Sequence, residues 1–135
     1  MRERLAGPIS VDEVLGLVRI EDPHLKARAV VLGHKVKVST LRLQSFKLHG
    51  TACVTCGIAG AAFFVERTNQ ETPHLNLYTA DNILMTRDHI VATADGGLDT
   101  IENSQTMCFP CNCAKDSKAH IRKCEEMDKK QGECK

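Results

Sequence analysis

Four cysteines fall in two pairs at metal-ligand spacing, Cys53-Val-Thr-Cys56 and Cys108-Phe-Pro-Cys111. A C-x-x-C pair aims two thiolates at one ion from a single tight turn, and two pairs complete the tetrahedral shell that structural zinc prefers. The pairs are separated by 51 residues. That interval is long for a minimal zinc finger and comfortable if a small β-rich module is inserted between the knuckles. A redox C-x-x-C uses one pair at a strand–helix junction and does not explain two. The chain has seven cysteines, an odd number that argues against a closed disulfide framework. Cys113, Cys124 and Cys134 then read as helix-face or tail thiols, with Cys113 the one able to compete for metal.

The densest group of reactive side chains runs up to and through the second pair. It comprises Asp88-His89, a Gly96-Gly97 loop, Asn103 before Gln105, and Cys108-x-x-Cys111-Asn112-x-x-Lys115. Singly, each has a plain explanation: a surface Asp-His turn, a turn Asn, an Asn at a helix N-cap. Together they resemble the HNH, or ββα-metal, endonuclease family. With both cysteine pairs flanking them, they are similar to its zinc-bearing branch, which includes phage endonuclease VII and many small phage HNH proteins. The resemblance implies an α+β fold. Its parts would be a ββα-metal (His-Me finger) core, a four-cysteine zinc site, a small inserted β-hairpin and an N-terminal helical segment.

The implied activity is hydrolysis of DNA phosphodiester bonds with low sequence specificity, in phage-type DNA processing. Such chemistry needs a base to take a proton from water near neutral pH, and His89 suits it. It also needs a hard cation at the developing charge. Magnesium or manganese would be held by the Asp88 carboxylate and the Asn112 amide oxygen, the zinc remaining structural. Asn103 is expected to hydrogen-bond and hold the His89 ring. The sequence departs from the family in two places. Asn112 stands where His is frequent, which favours a harder metal. The loop after His89, Val91-Ala92-Thr93-Ala94-Asp95, lacks the usual Pro and Lys, which weakens phosphate binding there.

Lys115, Lys118 and Arg122 share one face of the expected last helix and are candidate DNA contacts, with Lys123 beside them. Glu125, Glu126 and Asp128 further along support a merely solvated face. Lys35, Lys37, Arg42 and Lys47 make a second basic region able to extend the grip. A homodimer or a protein partner is a further expectation for the first fifty residues. The alternative reading is a non-catalytic zinc module that binds nucleic acid or protein on a retained HNH fold. A zinc deaminase is disfavoured, because no H-x-E precedes the knuckle.

The elements that must position these groups follow from pattern. Residues 11–19 read as a short helix, 25–32 as a second one stopped by Gly33, and 39–48 as a third, capped by Ser39 and ended by Gly50. Strands are expected over 61–66, 74–78, 83–90 and 104–108, and a helix from 112 to 127. Three segments result: 1–50, helical and basic, packed on or flanking the core; 51–128, the zinc-bound nuclease domain; and 129–135, a polar tail.

The 135 residues suit one compact domain, with 42% apolar and only 4% aromatic residues, a core that benefits from a metal staple. The net charge of +1 hides an acidic centre. Residues 51–100 hold two basic against six acidic side chains, and residues 1–50 hold nine against five. Any nucleic-acid contact must therefore be local. No apolar run is long enough to span a membrane and no secretory signal precedes the first helix, so a cytoplasmic, reducing location is expected.

Overall fold

The computed structural model describes residues 2–115 of the 135. These residues form seven strands and three α-helices, and all strand pairings are antiparallel. Strand β1 (Arg2–Ser10) leads into helix α1 (Val11–Leu17), whose N-cap Ser10 accepts a hydrogen bond from the Glu13 N–H. A hairpin follows, β2 (Arg28–Val31) and β3 (His34–Lys37), then helix α2 (Leu41–His49). After the first cysteine pair come β4 (Ala62–Thr68) and β5 (His74–Tyr78). Strands β6 (Met85–His89) and β7 (Ser104–Cys108) pair with each other, and β7 runs directly into helix α3 (Phe109–Cys113).

The largest sheet has the order β1-β4-β5. Alternation in Phe63-Phe64-Val65-Glu66 puts Phe63 and Val65 on the core face, opposite Leu77 and Leu75 of β5. Phe46 of α2 meets Phe63 edge-on, with ring centroids 6.3 Å apart. Helix α2 reaches that position because Thr40 caps its start, its hydroxyl accepting from the Leu43 N–H, and Gly50 ends it at φ 94°. The same core takes in Ile9, Val14, Val18, Val36 and Val38 from one side and Met85, Met107 and Cys108 from the other. The segment 2–50 is thus part of the body that carries the site.

Three expectations for the first half are corrected. The N-terminal segment is not simply helical: residues 2–10 are a strand paired to β4. Residues 25–32 are not a helix but enter the β2–β3 hairpin, whose turn residues Leu32 and Gly33 both have positive φ, 49° and 83°. This is the backbone sign that a two-residue hairpin turn requires. The expected hairpin between the knuckles is present as β4 and β5, and β1 adds a third strand to it. The cap of α2 is Thr40; the Ser39 hydroxyl instead accepts from the Ala27 N–H. The helix expected over 112–127 is described only as far as α3, which starts earlier, and its remainder lies outside the described residues. Among the described residues, no helix is long and apolar enough to cross a membrane.

Candidate active site and metal centre

The first cysteine knuckle is a tight backbone loop. The Cys53 N–H donates to the Ile58 carbonyl at 2.8 Å, and the Gly57 N–H returns to the Cys53 carbonyl at 2.9 Å. Gly57, at φ 81°, makes that return possible. The second knuckle starts at the end of β7, where Cys108 caps α3, and Cys111 follows one turn in. The two knuckles are tied together by the Val54 N–H on the Thr106 carbonyl (2.9 Å) and the Thr106 hydroxyl on the Gly50 carbonyl (2.6 Å).

As a result the Sγ atoms of Cys53, Cys56, Cys108 and Cys111 all lie within 4.8 Å of one another, with Cys56 and Cys108 at 3.7 Å. A tetrahedral zinc with Zn–S bonds of about 2.3 Å places its sulfurs about 3.8 Å apart. The four thiols therefore fit a structural metal such as zinc. Cys113 is not one of the four, and Cys124 and Cys134 lie outside the described residues. Burial opposes the Cys53 thiolate, but N–H groups at Cys56, Cys108 and Thr55 outweigh it and bring this thiol down to about 6. Burial and the neighbouring sulfurs push Cys111 well up, and burial pushes Cys108 up as well. Thiols this close resist ionising together unless a cation shares them.

Strand β6 stays regular through its last residue, so consecutive side chains leave on opposite sides. On one side are Thr86 and Asp88. The Asp88 carboxylate, with its side chain 11% exposed, accepts from Gln105 Nε2 at 3.0 Å and from Lys115 Nζ at 2.5 Å. Lys115 Nζ also donates to the His89 carbonyl at 3.1 Å. Asn112 Nδ2 donates to the Thr86 hydroxyl at 2.9 Å, which brings its carboxamide to the strand face that carries Asp88. Asn112 does not open the helix, as expected, but sits inside α3 behind the cap at Cys108. A carboxylate and a carboxamide are hard oxygen donors of the kind magnesium or manganese takes. The Lys115 ammonium shows that Asp88 already receives a cation at this point.

On the other side of β6 are Arg87 and His89. His89 Nε2 lies 3.0 Å from Asp99 Oδ1, and Arg87 reaches the same oxygen at 2.8 Å. Arg87 and then His89, hydrogen-bonded to it, hold the Asp99 carboxyl below its ordinary value. This corrects the role expected of Asn103. Its carboxamide does not meet the His89 ring: Oδ1 accepts from the Val91 N–H at 2.8 Å, and Nδ2 donates to the carbonyls of Leu98 (2.8 Å) and Val91 (3.0 Å). Asn103 closes the 91–98 loop, and its own carbonyl accepts the Ile90 N–H. The second loop glycine is needed for that closure, since a Cβ on Gly97 would collide with the Val91 carbonyl.

Asp99 and Arg87, which meet at His89, are residues that sequence reasoning did not single out, and Gln105, quoted there only beside Asn103, is found on Asp88. Arg87 was findable, because in a strand it must share the face of His89 two residues on. Asp99 carries no such signal, as it is brought in by the loop's path. Of the expected DNA contacts, Lys115 is at the site, while Lys118, Arg122 and Lys123 lie outside the described residues. The second basic region is divided: Lys35 and Lys37 are on β3, and Lys47 donates to the Val18 carbonyl at 2.9 Å, closing α1 onto α2.

Residues 79–118, from just before β6 to beyond α3, match the family model described as HNH endonuclease. No curated protein and no solved structure matches the chain.

Proposed function

We propose that this chain, in which residues 79–118 carry an HNH endonuclease domain, is a divalent-metal-dependent nuclease that hydrolyses DNA phosphodiester bonds with little sequence preference. The observation that carries the reading is the arrangement at the end of β6. Asp88 and Asn112 stand on one flank, His89 backed by Asp99 on the other, and Lys115 spans both residues of the Asp-His pair. In this reading the chain is a ββα-metal enzyme of the zinc-bearing, phage-type branch, acting in DNA processing. The four thiols hold zinc, while Asp88 and Asn112 hold magnesium or manganese.

The roles follow from chemistry. The Asp99 carboxylate at Nε2 favours the tautomer with its proton on that nitrogen, leaving Nδ1 of His89 to accept a proton from water. Arg87 keeps Asp99 ionised and in place. Asp88 and Asn112 would hold the divalent cation, which when bound would offset charge developing on the phosphate and leaving oxygen. Lys115 offers the phosphate a positive charge beside that position. Asn103 holds the loop from which Asp99 comes, so it is a positioning residue.

Supercoiled plasmid incubated with the protein and magnesium or manganese tests the reading. Nicking or linearisation that is lost in His89→Ala, with bound zinc and melting temperature unchanged, is the expected result. A zinc-loaded protein that binds the plasmid and cuts it with neither metal would sink the enzyme reading. The non-catalytic binding module would then take its place, the Lys115–Asp88 ion pair serving as a permanent substitute for metal.

A further inference from the structure

A second polar site lies next to β6. A cleft of about 530 Å³ opens where the start of α2, the β1-β4-β5 sheet and the first residues of β6 meet. Four arginines line it, Arg2, Arg42, Arg67 and Arg87, against a single carboxylate, Glu66. Glu66 is already engaged: Arg4 Nε donates to one of its oxygens at 3.0 Å, and Tyr78 and Asn76 to the other at 2.6 and 2.8 Å. Arg2 lies 3.9 Å from Glu66 and donates to the Tyr78 hydroxyl at 3.1 Å, Arg67 pairs with Glu3, and Arg87 with Asp99.

Arg42 is the exception. Its Nη2 donates to the Leu75 carbonyl at 2.7 Å, but it forms no ion pair among the described residues, and its Nε is buried without a hydrogen-bond partner. Burial, and then the charge of Arg2, lower it only to about 10, so it stays a cation at neutral pH. A buried donor on an unpaired cation calls for an anion. Thr40 also lines the cleft, so the N-terminal end of the nine-residue α2, with its outward N–H groups, opens there too. Thr86 and Arg87 belong to both the cleft and the strand of Asp88 and His89, which makes the two sites neighbours.

We propose that the Arg42 cleft holds a phosphate of the nucleic-acid strand, one flanking the phosphate that is cut. The inference rests on the nuclease reading and adds a second anchor that sets where the strand lies across β6. Several arginine donors around one cavity suit a phosphate's spread of acceptor oxygens.

Binding of a short labelled duplex, followed by fluorescence anisotropy at several salt concentrations with calcium replacing magnesium, tests it. Arg42→Gln and Arg2→Gln should each weaken binding about tenfold. Each should also flatten the slope of log affinity against log salt by about 0.9, the value of one duplex phosphate contact. Melting temperature and zinc content report whether each variant is folded, and if Arg42→Gln is not, Arg2→Gln on the sheet edge decides. Wild-type binding with unchanged affinity and slope in the folded variants would overturn the cleft assignment and leave the nuclease reading standing. If wild type binds no duplex, the nuclease reading falls and the strand assignment with it. In that case, inorganic phosphate that raises the melting temperature of wild type but not of Arg42→Gln, against chloride of equal ionic strength, would reassign the cleft to free phosphate.

Discussion

His89 Nε2 and Asp99 Oδ1 lie 3.0 Å apart, although the histidine closes a strand and the aspartate stands in an exposed loop ten positions on. Asp99 is 62% exposed, so it is held by its partners rather than by burial. Asp99→Ala should reduce plasmid nicking about tenfold or more while leaving the fold intact. Initial rates beside a thermal melt check this, and an unchanged rate would remove Asp99 from the machinery.

The same carboxylate sets a pH expectation. Its value is held below the ordinary 3.8 by Arg87 first and then by His89. A lowered carboxylate contributes its stability above the unfolded value and loses it as pH falls through the folded one. The difference in melting temperature between wild type and Asp99→Asn should thus stay constant from neutral pH to about 4 and close below it. A difference that closes nearer neutrality would place the titrating group elsewhere.

Lys115 stands on Asp88 where a divalent cation is proposed to bind. An ammonium and a metal ion compete for one carboxylate oxygen, so Lys115→Gln should lower the magnesium concentration that gives half-maximal cleavage. It should also lower the maximal rate, because the charge offered to phosphate is gone. Rates across a magnesium titration separate the two effects. A half-saturation point that does not move would mean the lysine and the metal use different sites.

Asn103→Ala removes three hydrogen bonds to the 91–98 loop. They are solvent-exposed, so the loss should be about 1–2 kcal/mol, seen as a fall of about 5–10 °C in melting temperature. Cleavage should fall too, since Asp99 leaves the same loop. A variant that melts like wild type would show that other contacts close the loop.

Metal analysis should find one zinc per chain, lost together with cooperative unfolding in Cys108→Ser. Cys53 is lowered to about 6, but Cys108 and Cys111 are raised, so zinc must displace their protons and uptake by metal-free protein should weaken steadily as pH falls from about 8 to about 5. Uptake indifferent to pH across that range would argue against thiolate ligands.

Spacing made part of this legible in advance. The strand over residues 74–78 and the four thiols were readable because a two-residue period and C-x-x-C each leave a short local trace. The β2–β3 hairpin was not, because its turn uses Leu32 at positive φ, where Asn or Gly would have announced it. Strand β1 was hidden by its charged start and mostly exposed residues, broken by Gly7-Pro8, and its pairing with β4 spans more than fifty positions. The Asn103 role was misread because an amide serves a ring or a backbone equally well, and only the loop's path decides which lies within reach.

The matched segment 79–118 contains Cys108 and Cys111, whereas Cys53 and Cys56 lie outside it. The motif is therefore not a portable cassette. Moved alone into another scaffold, it would bring half a coordination shell and a two-stranded ribbon whose Met85 and Met107 had lost the side chains they pack against. A workable graft would have to carry the 51–60 knuckle and supply a substitute for α2, so the smallest transferable unit in this chain is close to the whole described body.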